Sequence, residues 1–305
     1  MYTVVDIGVV MDIGLSAKPS VFLVSGASRG LGRAIVEAAL GAGHHVVAGV
    51  RSTTALSDLA AKEPDHLAVV QLDVTDDEQV RAAVATAVER FGRLDVLVNN
   101  AGYANMAAIE DFDFDDFRAQ IDANFLGVVR LTQAALPVLR TQRAGHIVQI
   151  SSVGGRLVRA GLSAYQSAKW AVTGFSGVLA QEVEPLGIKV TVLEPGGMRT
   201  DWAGSSMQVA EVRSEYADTV GASIAHSTPD NLGASDPAKV AELVLTIAGM
   251  PDPPERLLVG PDAYHYATAA GRDLLAEDGK WEALSLSTAA DDVTAAQIDP
   301  LGAVK

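Results

Sequence analysis

From Val21 to Gly260 the chain alternates short, β-branched apolar runs with longer stretches of helical period. VFLVS (21–25) leads into LGRAIVEAALGAG (31–43), whose apolar residues recur at helical spacing and stop at glycines. HHVVAGV (44–50), LAVVQLDV (67–74), LDVLVNN (94–100), HIVQISS (146–152), IKVTVLEPG (188–196) and RLLVG (256–260) are further strand candidates. Helical stretches lie between them near 55–61 and over 76–92, 114–140, 163–187 and 236–249. Strands separated by helices build βαβ units and hence a parallel sheet. The strand runs are almost continuously apolar, as burial on both faces demands. The pattern predicts one doubly wound α/β domain over 20–262, with seven parallel strands and helices on both faces.

The remaining segments are less regular. Residues 1–19 are apolar but begin without Lys or Arg and are interrupted by Asp6 and Asp12, a poor secretory signal that reads as an N-terminal extension. Residues 197–235, rich in Gly and Ser, hold only a weak helical patch around Met207–Tyr216, and a loop of this length in a compact domain reads as a substrate lid. Residues 263–305 form an acidic C-terminal extension, with a helix expected near 263–277 and apolar residues available for the lid or a second subunit. The 305 residues contain no cysteine, which excludes disulfides, thiolate nucleophiles and Cys-ligated metal. A formal net charge of −15 argues against nucleic acid or anionic membrane as general partners. No apolar run reaches the ~20 residues of a membrane span. The chain reads as soluble and cytoplasmic.

Chemistry clusters where a parallel sheet places its ligands. Ser25-Gly26-Ala27-Ser28-Arg29-Gly30-Leu31-Gly32 joins the first strand to the first helix. Glycines there let backbone amides approach a pyrophosphate at a helix N-terminus, which makes the domain Rossmann-type. An NAD site usually carries an acid at the end of the second strand; here that end reads Gly49-Val50-Arg51-Ser52. Arg51 and Arg29 can grip a 2′-phosphate, which predicts NADP(H) over NAD(H), although Arg51 also fits a solvated strand end. Asp73 can accept from an adenine amino group or cap the helix that begins near Asp76.

Tyr165 and Lys169 stand one turn apart on a helix, where a cation favours the phenolate and lowers the tyrosine pKa. A tyrosine of this kind exchanges a proton with a carbonyl or alcohol oxygen; the same spacing also describes an ordinary surface pair. Ser152 ends the fifth strand at the carboxyl edge of the sheet. Asn124 lies on the apolar stripe of its helix, as a structural bridge or as part of a proton route.

With SGASRGLG (25–32), LDVTD (72–76), NNAG (99–102), Asn124, ISS (150–152), YQSAK (165–169) and EPGGMRT (194–200) in this order, residues 20–262 resemble the short-chain dehydrogenase/reductase family. VVAGVRS and the long tail are similar to its hydroxysteroid/retinol dehydrogenase-like branch. Ser25 stands where threonine is common, and Glu194 where many members carry asparagine. The resemblance implies an NADP-dependent oxidoreductase in which Tyr165 exchanges the proton, Lys169 lowers its pKa and holds the nicotinamide ribose, and Ser152 donates to the substrate oxygen. Asn124 is implied to hold a water that joins Lys169 to solvent. Gly26, Ser28, Arg29, Gly30, Leu31 and Gly32 are implied to cradle the phosphates, with Asp73 and Val74 flanking the adenine. Asn100, Ala101 and Gly102 line the central part, and Pro195, Gly196, Met198 and Thr200 shape the nicotinamide pocket. The candidate substrate pocket is Tyr103, Ser152, Val153, Leu162, Met198, Trp202 and Met207, mostly apolar and suited to a ketone or secondary alcohol with hydrophobic groups. No metal is suggested. Tetramers of the family form through two long helices, here 114–140 and 163–187, so a homodimer or homotetramer is expected. A non-catalytic NADP(H)-binding sensor or scaffold, and an NAD-dependent lyase or epimerase, are the alternatives of the same fold.

Overall fold

The computed structural model describes residues 19–200, 207–227 and 233–300. The leader up to residue 18 and Trp202 lie outside the described residues. Seven parallel strands, β1 (Val21–Ser25), β2 (His45–Val50), β3 (Leu67–Gln71), β4 (Val96–Asn99), β5 (Gly145–Ile150), β6 (Ile188–Pro195) and β7 (Arg256–Val259), form one sheet in the order β3-β2-β1-β4-β5-β6-β7. The expected seven-stranded doubly wound fold is the one observed. Chain order reverses between β1 and β4, and ligands of such sheets bind outside the strand ends at that point.

Successive strand residues point to opposite faces, so β1 feeds two cores. Phe22 and Val24 pack with α1 (Gly30–Gly41) and α8 (Pro237–Gly249) around Ile35, Val244 and Ile247. Val21 and Leu23 pack with α3 (Asp77–Phe91), α5 (Gly127–Gln142) and α6 (Ser163–Val183) around Val84, Leu131 and Leu179. The short α2 (Ser57–Lys62) covers the sheet edge near β3. Helix α3 is capped by Asp76, whose carboxylate accepts from the Glu78 and Gln79 amides, and ends at Gly92 with φ +80°. Asp76, not Asp73, is therefore the cap.

Three expectations change. The helix expected over 114–140 is α4 (Phe114–Ile121), a π-turn (Asp122–Leu126) and α5, because Asn124 is fastened sideways to another loop. The helical patch expected around Met207–Tyr216 is extended at its start: Met106 N–H donates to Gln208 O at 2.8 Å, and Ala210 N–H donates to Met106 O at 2.9 Å. Tertiary pairing overrides local propensity there, and helical structure begins only at Ser214, leading through Ala217–Gly221 into α7 (Ala222–Ala225). The C-terminal helix is longer than expected. It runs as α9 (Pro261–Lys280), with only Ala263 and Ala267 buried; Leu274 and Leu275 are exposed, as is Trp281 just beyond its end. Short helices α10 (Glu282–Leu286) and α11 (Ala295–Ile298) follow. Among the described residues, no helix is long and apolar enough to cross a membrane.

Candidate active site

A cavity of about 1390 Å³ opens over the carboxyl ends of the strands at the β1/β4 reversal. Where β1 passes into α1 the cavity is shaped by glycines. Gly26 has φ +66°, and a Cβ on it would stand 2.8 Å from the Ala101 Cα. A Cβ on Gly32 would stand 2.3 Å from the Gly26 carbonyl oxygen and 2.5 Å from the Asn100 amide nitrogen, so only glycine fits. Asn100 holds this turn shut: its Nδ2 donates to Ser25 O at 3.0 Å and Gly26 O at 3.2 Å, while its own N–H donates to Ser25 Oγ at 3.0 Å. Ser25 Oγ also accepts from the Ala101 N–H at 3.1 Å, a tie between β1 and β4 that a hydroxyl of either serine or threonine can make.

The first turn of α1 contains no acidic residue, and Arg29 at its N-cap makes no side-chain capping bond, so the helix presents open N–H groups to the cavity. Arg29 and Arg51 are exposed, line the cavity, and have guanidiniums without an ion pair among the described residues. Neighbouring Arg33, in contrast, is bound to Glu37 and Asp58. A cradle that a Cβ would fill, an uncapped helix N-terminus and two uncommitted cations fit a phosphorylated dinucleotide. At the far rim Asp73 accepts from Thr75 N–H at 3.0 Å and Thr75 Oγ1 at 2.7 Å, closing the turn after β3 beside Val74.

Ser152, Tyr165 and Lys169 meet over the end of β5. Ser152 caps the turn Val153–Gly155, accepting from the Gly154 N–H at 3.0 Å, and its hydroxyl is hydrogen-bonded to Tyr165. Lys169 is buried; its Nζ donates to Ile150 O at 2.8 Å and lies 5.6 Å from the Tyr165 ring centre. Burial lowers the Lys169 pKa to about 8. Burial raises the Tyr165 pKa to about 12, only partly countered by Ser152. Desolvation of the phenolate sets the direction for Tyr165, while the Lys169 ammonium is held against a backbone carbonyl.

Asn124 stands one layer behind. Its Nδ2 donates to Tyr103 O at 2.9 Å and Gln120 O at 2.8 Å, and its Oδ1 accepts from the Tyr103 N–H at 3.0 Å. Both amide hydrogens are thus engaged in bridging the π-turn to the loop that carries Gly102 and Tyr103. A Cβ on Gly102 would stand 2.5 Å from Asn124 Oδ1 and 3.6 Å from Lys169 Nζ, so the bridge abuts the lysine.

Pro195, Gly196, Met198 and Thr200 line the same cavity, as do Tyr103, Val153 and Leu162. Met207 does not line the cavity; it packs behind Leu162 and Tyr165.

Residues 20–210 match the family model for short chain dehydrogenase. The chain belongs to the short-chain dehydrogenase family. It is 56% identical over 272 residues to the oxidoreductase BOA17 of Botryotinia fuckeliana, covering 88% of this chain and 99% of that one. A short-chain dehydrogenase from Streptomyces avermitilis superposes with a TM-score of 0.84 at 40% identity, covering 90% of this chain and all of the other. An alcohol dehydrogenase from the archaeon Thermococcus sibiricus, solved with 5-hydroxy-NADP, superposes with a TM-score of 0.66 at 26% identity, covering 80% and 97%.

This short-chain dehydrogenase also contains elements that motif reading does not reach. Glu194, the departure from the common asparagine, is fully buried between two guanidiniums: Arg156 Nη2 at 2.5 Å and Arg256 Nη2 at 2.5 Å. The carboxylate joins the turn behind Ser152 to β6 and β7. Asp262, at the start of α9, accepts from the Gly197 N–H at 2.7 Å and fixes the segment that follows Pro195. Glu194 is visible in the sequence as an anomaly, but its partners lie 38 and 62 residues away. Asp262 carries no sequence signal at all.

Proposed function

We propose that this short-chain dehydrogenase is an NADP(H)-dependent oxidoreductase that interconverts a ketone and a secondary alcohol, acting as a carbonyl reductase. The observation that carries the reading is the meeting of Ser152, Tyr165 and Lys169 beside a glycine cradle flanked by Arg29 and Arg51. The cofactor assignment is supported by the 5-hydroxy-NADP in the related archaeal alcohol dehydrogenase.

Gly26, Ser28, Gly30, Leu31 and Gly32 hold the pyrophosphate, and Arg29 and Arg51 the 2′-phosphate. Asp73 and Val74 flank the adenine, and Asn100, Ala101 and Gly102 line the middle of the dinucleotide. Pro195, Gly196, Met198 and Thr200 hold the nicotinamide end. When bound, the reduced cofactor supplies a hydride to the carbonyl carbon. The Tyr165 O–H supplies the proton to the carbonyl oxygen, and its raised pKa keeps it in the acid form at neutral pH. Ser152 donates to the same oxygen as negative charge develops there. Lys169, anchored by Ile150 O, stands where it can neutralise the tyrosinate that remains, and Asn124 keeps the Gly102 loop packed against it. The 197–235 segment serves as a substrate lid, a reading supported by Thr219, Ala222 and Ser223, which line the cavity. The reading includes self-association through α4–α5 and α6, supported by exposed Leu126, Trp170 and Val178.

The test is a carbonyl panel of aryl ketones, steroids, retinal and β-keto esters, followed by loss of nicotinamide absorbance with each cofactor. Consumption of NADPH with a higher kcat/KM than NADH is the expected result. NADPH binding without consumption by any carbonyl overturns the enzymatic reading, and equal or better use of NADH overturns the cofactor preference.

A further inference from the structure

Arg159 lines the cavity and has no part in the chemistry assigned above. Its position relative to the proton donor is fixed, because Gln166, the residue after Tyr165, accepts from the Arg159 N–H at 2.8 Å and donates to Leu157 O at 3.0 Å. From that loop the guanidinium reaches across to α7. Nε donates to Ser223 Oγ at 2.8 Å, and Nη2 donates to Ser223 O at 2.5 Å and to Ser227 Oγ at 3.0 Å.

Every one of these acceptors is neutral. Among the described residues no carboxylate pairs with Arg159, and the two N–H groups of Nη1 have no acceptor. Burial, with no carboxylate to offset it, lowers the Arg159 pKa. A half-buried cation without a counter-charge is costly to maintain. His226, three residues beyond Ser223, lines the same wall with its Nδ1 2.7 Å from Ala222 O. The acids that border the cavity belong to other walls. Asp73 closes the turn after β3, Asp122 is bound to Arg130, and Asp262 holds Gly197. The cavity therefore runs from an apolar zone at Val153 and Leu162 to a wall with free cationic hydrogen-bonding capacity.

We propose that the substrate is a ketone that carries a carboxylate, received by the free Nη1 edge of Arg159 while its carbonyl lies at Ser152 and Tyr165. This rests on the carbonyl-reductase reading. It narrows the substrate from a merely hydrophobic ketone to an amphiphilic keto acid. One positive charge matches one monoanion: Nε and Nη2 are committed to Ser223 and Ser227, so a carboxylate oxygen is received by an Nη1 N–H in a charge-assisted hydrogen bond. The competing role for Arg159 is a clip between its loop and α7, which requires the hydrogen bonds but not the charge.

The two roles separate in one assay. Straight-chain methyl-ketone carboxylates of increasing length are each compared with their methyl esters as substrates with NADPH. For the full-length protein, the acid is favoured over its ester by about 10- to 100-fold in kcat/KM at the chain length that spans the cavity, the span of a charge-assisted hydrogen bond. Arg159→Gln, which keeps a hydrogen-bonding side chain without the charge, brings that ratio to about one, and Arg159→Lys restores part of it. A purely structural loss lowers acid and ester together and leaves the ratio where it was. Esters used as well as acids at every length, or a ratio unchanged in Arg159→Gln, overturn the proposal while leaving the reductase reading intact. Failure of every ketone with either cofactor overturns both.

Discussion

Replacing Glu194 by Gln tests whether its carboxylate is a structural hinge of the site. The side chain is fully buried, and each oxygen has its own guanidinium, Arg156 on one and Arg256 on the other. Gln keeps the shape, loses the charge and turns an amide N–H₂ towards one of the two cations. Breaking a fully buried pair costs about 3–5 kcal/mol. Here the arginine side chains are 32% and 42% exposed, so water recovers part of their solvation. The expected loss is then about 2–3 kcal/mol. Unfolding entropy of about 2.1 cal/mol/K per residue gives roughly 0.6 kcal/mol/K for a chain of this size, hence a Tm lower by about 4 °C. Calorimetry measures that shift. Because Arg156 follows the turn capped by Ser152, kcat for ketone reduction falls as well. A Tm within about 1 °C of the parent, with kcat unchanged, refutes the hinge.

Gly32→Ala places a methyl group against the Gly26 carbonyl and the Asn100 amide, which cannot both move without opening the cradle. NADPH affinity, read by fluorescence titration, falls about 5- to 150-fold, since a distortion of about 1–3 kcal/mol acts directly on the phosphate site. His146 governs acid stability. Thr191 Oγ1 gives its hydrogen to Pro254 O, so the His146 Nε2 at 2.9 Å is the donor to that hydroxyl, and the buried Nδ1 has no partner. Its pKa falls from 6.5 to about 4, chiefly through burial. The unfolded chain therefore binds this proton first, and stability declines as pH drops from 6.5 towards 4, by up to about 3 kcal/mol. Urea unfolding of His146→Leu across that range shows a flatter profile than the parent protein; parallel profiles contradict the assignment.

The parallel sheet was readable because its seven runs are apolar throughout, and a strand buried on both faces has few other ways to be written. The glycine turn was readable because local sequence and backbone conformation coincide at Gly26 and Gly30. What stayed hidden depends on distance. The π-turn arises from the hold of Asn124 on Tyr103, a contact 21 residues apart, and the extended start of the 207–216 segment depends on Met106. Tyr165 and Lys169 could be paired by spacing, but spacing carries no burial, and burial decides the direction of the tyrosine shift. Arg159 carries no sequence signal, because its significance lies in its partners, the Ser223 hydroxyl and carbonyl and the Ser227 hydroxyl, which meet it only in the folded chain.

The proposed chemistry rests on Tyr165 giving the proton to a carbonyl at an NADPH site. Tyr165→Phe removes one oxygen from a ring that packs against Leu162 and Met106 and leaves the glycine cradle untouched. Its turnover of a ketone accepted by the parent protein, measured beside NADPH affinity, is the most direct test. Turnover is expected to fall by at least about a hundredfold, as removal of a general acid entails, with NADPH binding nearly retained. A variant that still reduces the ketone at a rate comparable to the parent's contradicts it.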